Sequence, residues 1–590
     1  MKALPNGRLL EHFGELTRAE GTLLEHAASG TVARITPRRP EIETEKNKVR
    51  ADFLRFLILG GDAENPVHER GINLHGAYIV GELDLREAQI NISVTLEHCM
   101  CFQPVVLEDM QLKGSLSLNY SAIPGLLASR SSISGSLFLN HIYSHGTIDL
   151  IAAKVGGSVY VRGSHLYGLG GKALRMDGAS IDGVIRVEDK SRVIGEFSLI
   201  GVSINGQLSC SNCTFQAIKG PAISADHIIV KGAVYLTKGF HSIGLVRISG
   251  ARIAGQLSFR GAHFQAQGNK GNCLAAQGIR VENSLVMTDF PTPLRRASFS
   301  GSHVNSLNDD AKTWGNELWL NGFTYNFLNS STPLNAKTRI AWLDRQHSAY
   351  SGQDGLKGSD SKFRPQPWRH LQKVFEEMGH SEEARQVGIA FEKRLRKVGL
   401  VGQGTARWWP GLRWLGLIPH VLYGALTGYG YRPMRLLAWI LGIWLFFTSV
   451  YWYAAIEHKV FAPSNPLVFQ NEAYASCTPE YGDTWQRQHP DTERPAEIGN
   501  WYTCKALRGE YTGFSPGAYS LDILLSLVDL QQEKDWGPIT PTPFPGYWDE
   551  LKNLEWGHGI RLLIWLETLI GWGISLLLVA IVSGLTRRKE

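Results

Sequence analysis

From Val80 to Phe259 one pattern keeps returning: a glycine, then residues that alternate polar and apolar. Clear copies are VGELDL at Gly81, LKGSLSL at Gly114, ISGSLFL at Gly135, VGGSVYV at Gly157, IDGVIRV at Gly183, VIGEFSL at Gly195, INGQLSC at Gly206, VKGAVYL at Gly232 and IAGQLSF at Gly255. Alternation with a period of two is the signature of a strand with one buried face. Weaker copies at Gly125, Gly146 and Gly244 bring the step to about eleven residues, and GEFSLIGVSINGQLSCSNCTFQ from Gly195 aligns with GLVRISGARIAGQLSFRGAHFQ from Gly244 at an offset of 49. Strands this short cannot bury an apolar face alone, but stacked coils share one continuous core. The expected fold over residues 71–330 is therefore a right-handed parallel β-helix, a β-solenoid. Each repeated glycine marks a bend where only a missing Cβ fits. In VENSLVM, Asn283 stands in that place, and asparagine is the next residue most able to enter a left-handed conformation.

The flanks change period. Residues from about 18 to 61 read as helical and end in VRADFLRFLILGG, where Val49, Phe53, Phe56 and Leu57 share one face, so 1–70 forms a helical cap. Beyond Phe290 the repeat fades, and helices are expected near 336–346, 368–378 and 381–398, inside a linker spanning 331–433. Its segment 406–428 carries Trp408, Trp409, Trp414 and Tyr423 with Arg407 and Arg413. It reads either as an interfacial helix with aromatic anchors or as a buried helix broken at Pro410 and Pro419.

Two apolar runs follow, 434–456 with Arg435 as its one charge and 562–585 with Glu567 as its one charge. Both are long enough to span a bilayer. Arg432 and Arg435 precede the first, while Arg587, Arg588 and Lys589 follow the second, in the tail 586–590. The positive-inside rule then puts both chain ends in the cytoplasm and the loop 457–561 outside. Near its end, residues 519–531 (YSLDILLSLVDLQ) have helical apolar character but cannot cross, so they form a re-entrant helix or one lying on the outer surface.

Composition narrows the function classes. A chain of 590 residues is too long for one compact core, and 63 glycines with 19% charged residues suit tight coils and membrane segments. The net charge of +6 is mild and no block of five basic residues occurs, which argues against a nucleic-acid partner. The first residues, MKALPNGRLLEHFGEL, lack the apolar run of a secretory signal, so the N-terminal domain is expected to stay in the cytoplasm.

Few motifs carry chemistry. Cys210 and Cys213 have the spacing of a redox or zinc pair, but shifting by 49 places Phe259 and Ala262 at the same positions, which assigns the cysteines to core packing. His98, Cys99, Met100 and Cys101 offer soft ligands without a second cluster. Gly513-Phe-Ser515-Pro-Gly517 matches a nucleophile-elbow string without the apolar strand it needs, and Pro516 points to a turn opening a helix. The glycine clusters at 168–171 and 399–404 lack dinucleotide-binding spacing. No cofactor and no resident metal are expected. Cys477 and Cys504 lie in the outer loop, where an oxidising compartment makes them a disulfide pair. Glu567 is a carboxylate at membrane depth, either functional or paired with the 519–531 segment or Arg561. Asp522, Asp529 and Glu567 are the residues expected to line or gate a pathway.

Two spans flanking a short helix, followed by GIRLLIWLETLIGWGISLLLVAIVSGL, resemble the pore module of two-transmembrane ion channels, with Glu567, Leu569, Ile570 and Gly571 in an order similar to that family's last helix. Where those channels carry a glycine-rich filter this chain has VDLQQEKDWGP, so the resemblance does not extend to potassium selectivity. More broadly the chain resembles bacterial solenoid membrane proteins related to pentapeptide-repeat proteins, through the GARIAGQL-type repeat, RPQPW at 364–368, GYGYRP at 428–433 and YSLDILLSLVDL. Some of that family carry the label membrane-associated oxidoreductase. The resemblance implies an inner-membrane protein with the bilayer as partner, a homo-oligomer, and a cytoplasmic solenoid that senses or scaffolds a protein partner beside a channel-like module. The alternative it implies is a membrane-bound enzyme.

Overall fold

The computed structural model describes residues 9–268, 271–353, 357, 361–401, 413–525, 528–540 and 555–583. The chain divides into two units, Met1–Leu400 and Val401–Glu590.

The first unit is a parallel β-solenoid of about eleven turns. One turn is four short strands, for example Gln89–Ile90, Val94–Glu97, Met100–Cys101 and Val105–Val106. Strands at equivalent positions pair in parallel from turn to turn, giving four columns in two sheets. The eleven-residue step is half a turn. Beyond the cap strands a full turn mostly takes from 21 residues, as in Leu116 opposite Leu137, to 28, as in Leu257 opposite Leu285. The 49-residue offset is two turns, Phe197 to Ile223 to Val246. Its cause is a longer corner between the third and fourth columns, which from Tyr167 to Leu274 alternates with a short one; the three preceding turns have short corners only. Such corners separate Tyr167 from Leu174, Gln216 from Ile223 and Gln265 from Leu274.

The core is one stack of inward aliphatic side chains, such as Ile133, Val155, Ile181 and Ile204, with a buried phenylalanine run, Phe197, Phe215, Phe240 and Phe264, at 5.6–5.7 Å between centroids. Cys210 lies in register with Val187 and Leu236, and both it and Cys213 are buried. These two thiols pack as apolar residues.

Of the repeated glycines, Gly81, Gly195 and Gly244 do sit in the left-handed region, as expected of bends, whereas seven others need the missing Cβ for a different reason. Gly114, Gly135, Gly157, Gly183, Gly206, Gly232 and Gly255 stack directly, each amide after the first donating to the carbonyl of the one a turn before at 2.8–3.0 Å. None has positive φ. A Cβ on Gly183 would sit 2.6 Å from the Gly157 oxygen, and one on Gly255 2.7 Å from that of Gly232. Glycine is required by close backbone approach, not by a left-handed bend. Asn283 stands one turn on from Gly255, two residues before Leu285 as Gly255 is before Leu257, inside the strand Arg280–Met287 and beside a register shift; like the ladder glycines it is not left-handed, so the expected left-handed role does not apply. Left-handed residues occupy other corners, where Glu87, Asp109, Arg130, Ala152, Gly178 and Gly201 follow one another in successive turns.

The cap also departs from a continuous helix. Helices Arg18–Ser29 and Ala51–Ile58 are separated by strands Ala33–Arg34 and Lys48–Arg50, which pair with Leu74–His75 and Tyr78–Val80 as the first rungs. Pro37 and Pro40 and the β-branched residues around them oppose a helix there, and Val49 packs as a strand residue. Glu20, fully buried, joins the cap by accepting from the Arg50 guanidinium at 2.8 Å.

At the other end helices Ala336–Asp344, Gln366–Glu377 and Ser381–Val398 close the stack. Their anchor is a buried ion pair, Arg339 with Asp309 at 2.6 and 2.9 Å, the same carboxylate also accepting from Trp314 Nε1.

Two stability predictions follow from these contacts. In thermal unfolding followed by circular dichroism, Gly183→Ala should cost about 2–3 kcal/mol by overpacking. Gly178→Ala, which is left-handed with open space around it, should cost about 1 kcal/mol. Equal losses would refute the close-approach account. Asp309→Ala should cost about 3–5 kcal/mol by stranding a buried guanidinium, and Asp309→Leu combined with Arg339→Met should recover much of it. Urea midpoints for the two variants and the unsubstituted protein decide the point.

Candidate functional site

The second unit contains two helices long and apolar enough to cross a membrane, Arg435–Ile456 and Trp556–Val582. Only 17% and 22% of their most apolar windows is buried, unlike the core helices of a soluble protein. Leu437, Trp439, Leu441 and Leu445 on the first, and Leu562, Trp565, Leu569 and Trp572 on the second, are exposed. Preceding them, the helix Arg413–Thr427 runs through Pro419 without breaking and exposes Ile418 and Leu422. Trp408, Trp409, Arg407 and Pro410, and the basic residues 587–589, lie outside the described residues.

Between the two apolar helices the chain folds into a lobe. Phe461–Pro463 pairs antiparallel with Trp536–Pro538, and Phe461, Trp501, Phe514 and Trp536 are buried together. Cys477 and Cys504 form a disulfide with Cα atoms 5.4 Å apart. Asn500 Nδ2 donates to the Ala455 carbonyl at 2.9 Å, tying this lobe to the end of the first apolar helix.

The apolar segment of the loop is a nine-residue helix, Pro516–Leu524, shorter than the 519–531 expected. Its N-cap is Ser515, whose hydroxyl accepts from the Ala518 amide, and Pro516 holds the first helical position. The string around Ser515 is thus a helix start. This short helix packs against both long ones: Trp444 Nε1 donates to the Gly517 carbonyl at 2.8 Å, and Gly571, lacking a Cβ, lets the Leu524 carbonyl approach the second apolar helix.

Glu567 stands where the three helices meet. Its side chain is fully buried, Oε2 accepting from the Tyr451 hydroxyl and Oε1 from the Ser520 hydroxyl, each at 2.5 Å. The second helix begins six residues before the apolar run does, so Glu567 lies eleven residues in, a rise of about 17 Å. Of the two structural partners considered for it, the inserted segment supplies one, whereas Arg561 donates instead to Thr540 Oγ1. Two hydroxyl donors without a cation hold a carboxylate in place and leave neither oxygen turned outward within this chain.

The other acidic candidates have separate roles. Asp522 accepts from the backbone amides of Leu530 and Glu533, bracing the turn after the short helix. Asp529 is exposed on that turn and pairs with Lys534 at 2.5 Å. Tyr451 and Ser520 were not evident in the sequence, because a tyrosine near the end of an apolar run reads as an interfacial anchor. Gly571, four residues after Glu567, was the available signal for a shared helix face.

No family model, no curated protein and no solved structure matches the chain. In the solenoid, burial raises the Cys99 thiol to about 12 and holds Cys101, Cys210 and Cys213 well above the ordinary range. Such thiols are poor nucleophiles and metal ligands. Among the described residues no three histidine, cysteine, aspartate or glutamate side chains converge as a metal site. His98 belongs instead to a ring stack with Tyr120 and His141, spaced 4.6 Å.

If the Glu567 junction ties the helices together, a double-mutant cycle of Tyr451→Phe with Glu567→Gln in detergent should give a coupling of about 0.6–2 kcal/mol. Strictly additive losses in thermal stability would remove the junction from the account.

Proposed function

We propose that this protein is a membrane-anchored β-solenoid: a cytoplasmic sensor or scaffold coupled to a channel-like two-helix module in the bacterial inner membrane. Both chain ends face the cytoplasm, the disulfide-bearing lobe faces outward, and copies of the chain assemble around a shared pathway. The observation that carries the reading is the junction of the short helix Pro516–Leu524 with both long apolar helices through Ser520, Tyr451 and Glu567. A half-length helix held between two spanning helices is protected from lipid by protein, the condition under which irregular backbone is tolerated at membrane depth. A buried carboxylate there is costly unless it serves the packing or the passage of an ion. The exposed Leu and Trp faces of both helices suit lipid or a second copy.

In this reading Glu567 positions the short helix, and Asp529, on the exposed turn that follows, is the charge that meets a permeating ion. Purified protein in planar bilayers should show single-channel conductance. Asp529→Asn should change unitary current, and Glu567→Gln should change open probability by loosening the junction. Silence from folded protein, with both variants equally silent, would sink the channel module and leave a membrane-held scaffold.

A further inference from the structure

The last three turns of the solenoid carry a cleft of about 290 Å³ that the membrane reading does not use. It lies along the fourth column, whose outward positions recur in register. Arg247, Ala275, Ser298 and Trp319 follow one another there, and two residues later in the last three turns come Gln277, Ser300 and Asn321. The backbone of this second row is itself laddered, since Gly250, Gly278 and Gly301 donate to the carbonyls of Gln277, Ser300 and Asn321 at 2.8–2.9 Å.

In the earlier turns the same strip carries three charge pairs among uncharged positions such as Leu127 and Ser198: Asp84 with Arg86, Asp149 with Arg175, and Asp226 with Arg247. From Ala275 onward the six strip positions hold no charge, and small side chains at Ala275 and Ser298 recess the floor. Trp319, braced by His347 at 5.7 Å between centroids, forms one wall. Tyr350 and Arg364 close the other side, with the guanidinium carbon 5.4 Å from the Tyr350 ring centre, and Asn272 completes the rim. Arg364 has no carboxylate partner among the described residues.

We propose that this cleft binds an acidic sugar, a polyhydroxylated ring carrying one carboxylate or phosphate. Amide and hydroxyl side chains that both donate and accept match the hydroxyls of such a ring. Two aromatic rings offer flat apolar surface for its C–H face. Arg364, without a carboxylate partner among the described residues, offers a guanidinium to its acid group. The volume is at the small end of ligand pockets and suits one or two rings. The proposal does not rest on the channel reading, because a sugar binds or fails to bind whether or not current flows.

The test is isothermal titration calorimetry of the full chain in detergent with glucuronate, N-acetylneuraminate, glucose 6-phosphate, glucose and inorganic phosphate. At least one acidic sugar should bind more tightly than both glucose and phosphate. Arg364→Met, at an exposed position, should weaken that sugar by about ten- to a hundredfold and leave glucose unchanged. Asn321→Ala, also exposed, should weaken acidic and neutral sugars alike. A uronate preference identifies a carboxylate ligand and a sugar-phosphate preference a phosphate ligand. No binding of any acidic sugar, phosphate binding equal to that of the sugars, or affinities unchanged in both variants would each overturn the proposal.

Discussion

Successive turns of the solenoid pack backbone directly on backbone, and the glycine ladder from Gly114 to Gly255 is the column where that contact repeats turn after turn. Every amide there must find its acceptor one turn earlier, because a buried unpaired backbone group is costly. The register that satisfies the ladder also decides which side chains face inward. The same register carries Ser115, Ser136 and Ser158, whose hydroxyls accept from amides of the following turn. Core, corners and surface strips are consequences of one repeated backbone contact, and the helices at each end serve to finish it.

The second unit is organised by a different constraint. Two long apolar helices have little reason to select one arrangement over another, since their surfaces are uniformly greasy. Polar atoms at depth supply the choice: Trp444 to a carbonyl, Tyr451 and Ser520 to Glu567, and Gly571 as the gap that receives a helix end. The folded lobe between the helices adds the disulfide and the Asn500 contact, so the short helix is held from both sides.

Much of this was legible in the sequence. The glycine-led alternation announced parallel coils, and the two apolar runs announced their helices to within a few residues. What stayed hidden depended on distance along the chain. Val49 sits between helical segments and reads as helical, yet its partner Ile79 makes it a strand residue. The ladder glycines look like bends until the neighbouring turn is seen to occupy the space of a Cβ. Glu567 was visible as an anomaly, but its donors are 116 and 47 residues away. The cleft residues, from Asn272 to Arg364, acquire a common address only through turn register.

The long corners and the two-sheet cross-section together set how the length of the coil can change. Gaining or losing half a turn would transfer every downstream strand to the opposite sheet and break both ladders. A whole turn can be copied or deleted with every joint preserved, and a corner loop can lengthen without disturbing its neighbours. The full coil, and not the eleven-residue step, is therefore the smallest piece that can be added or removed with both sheets intact.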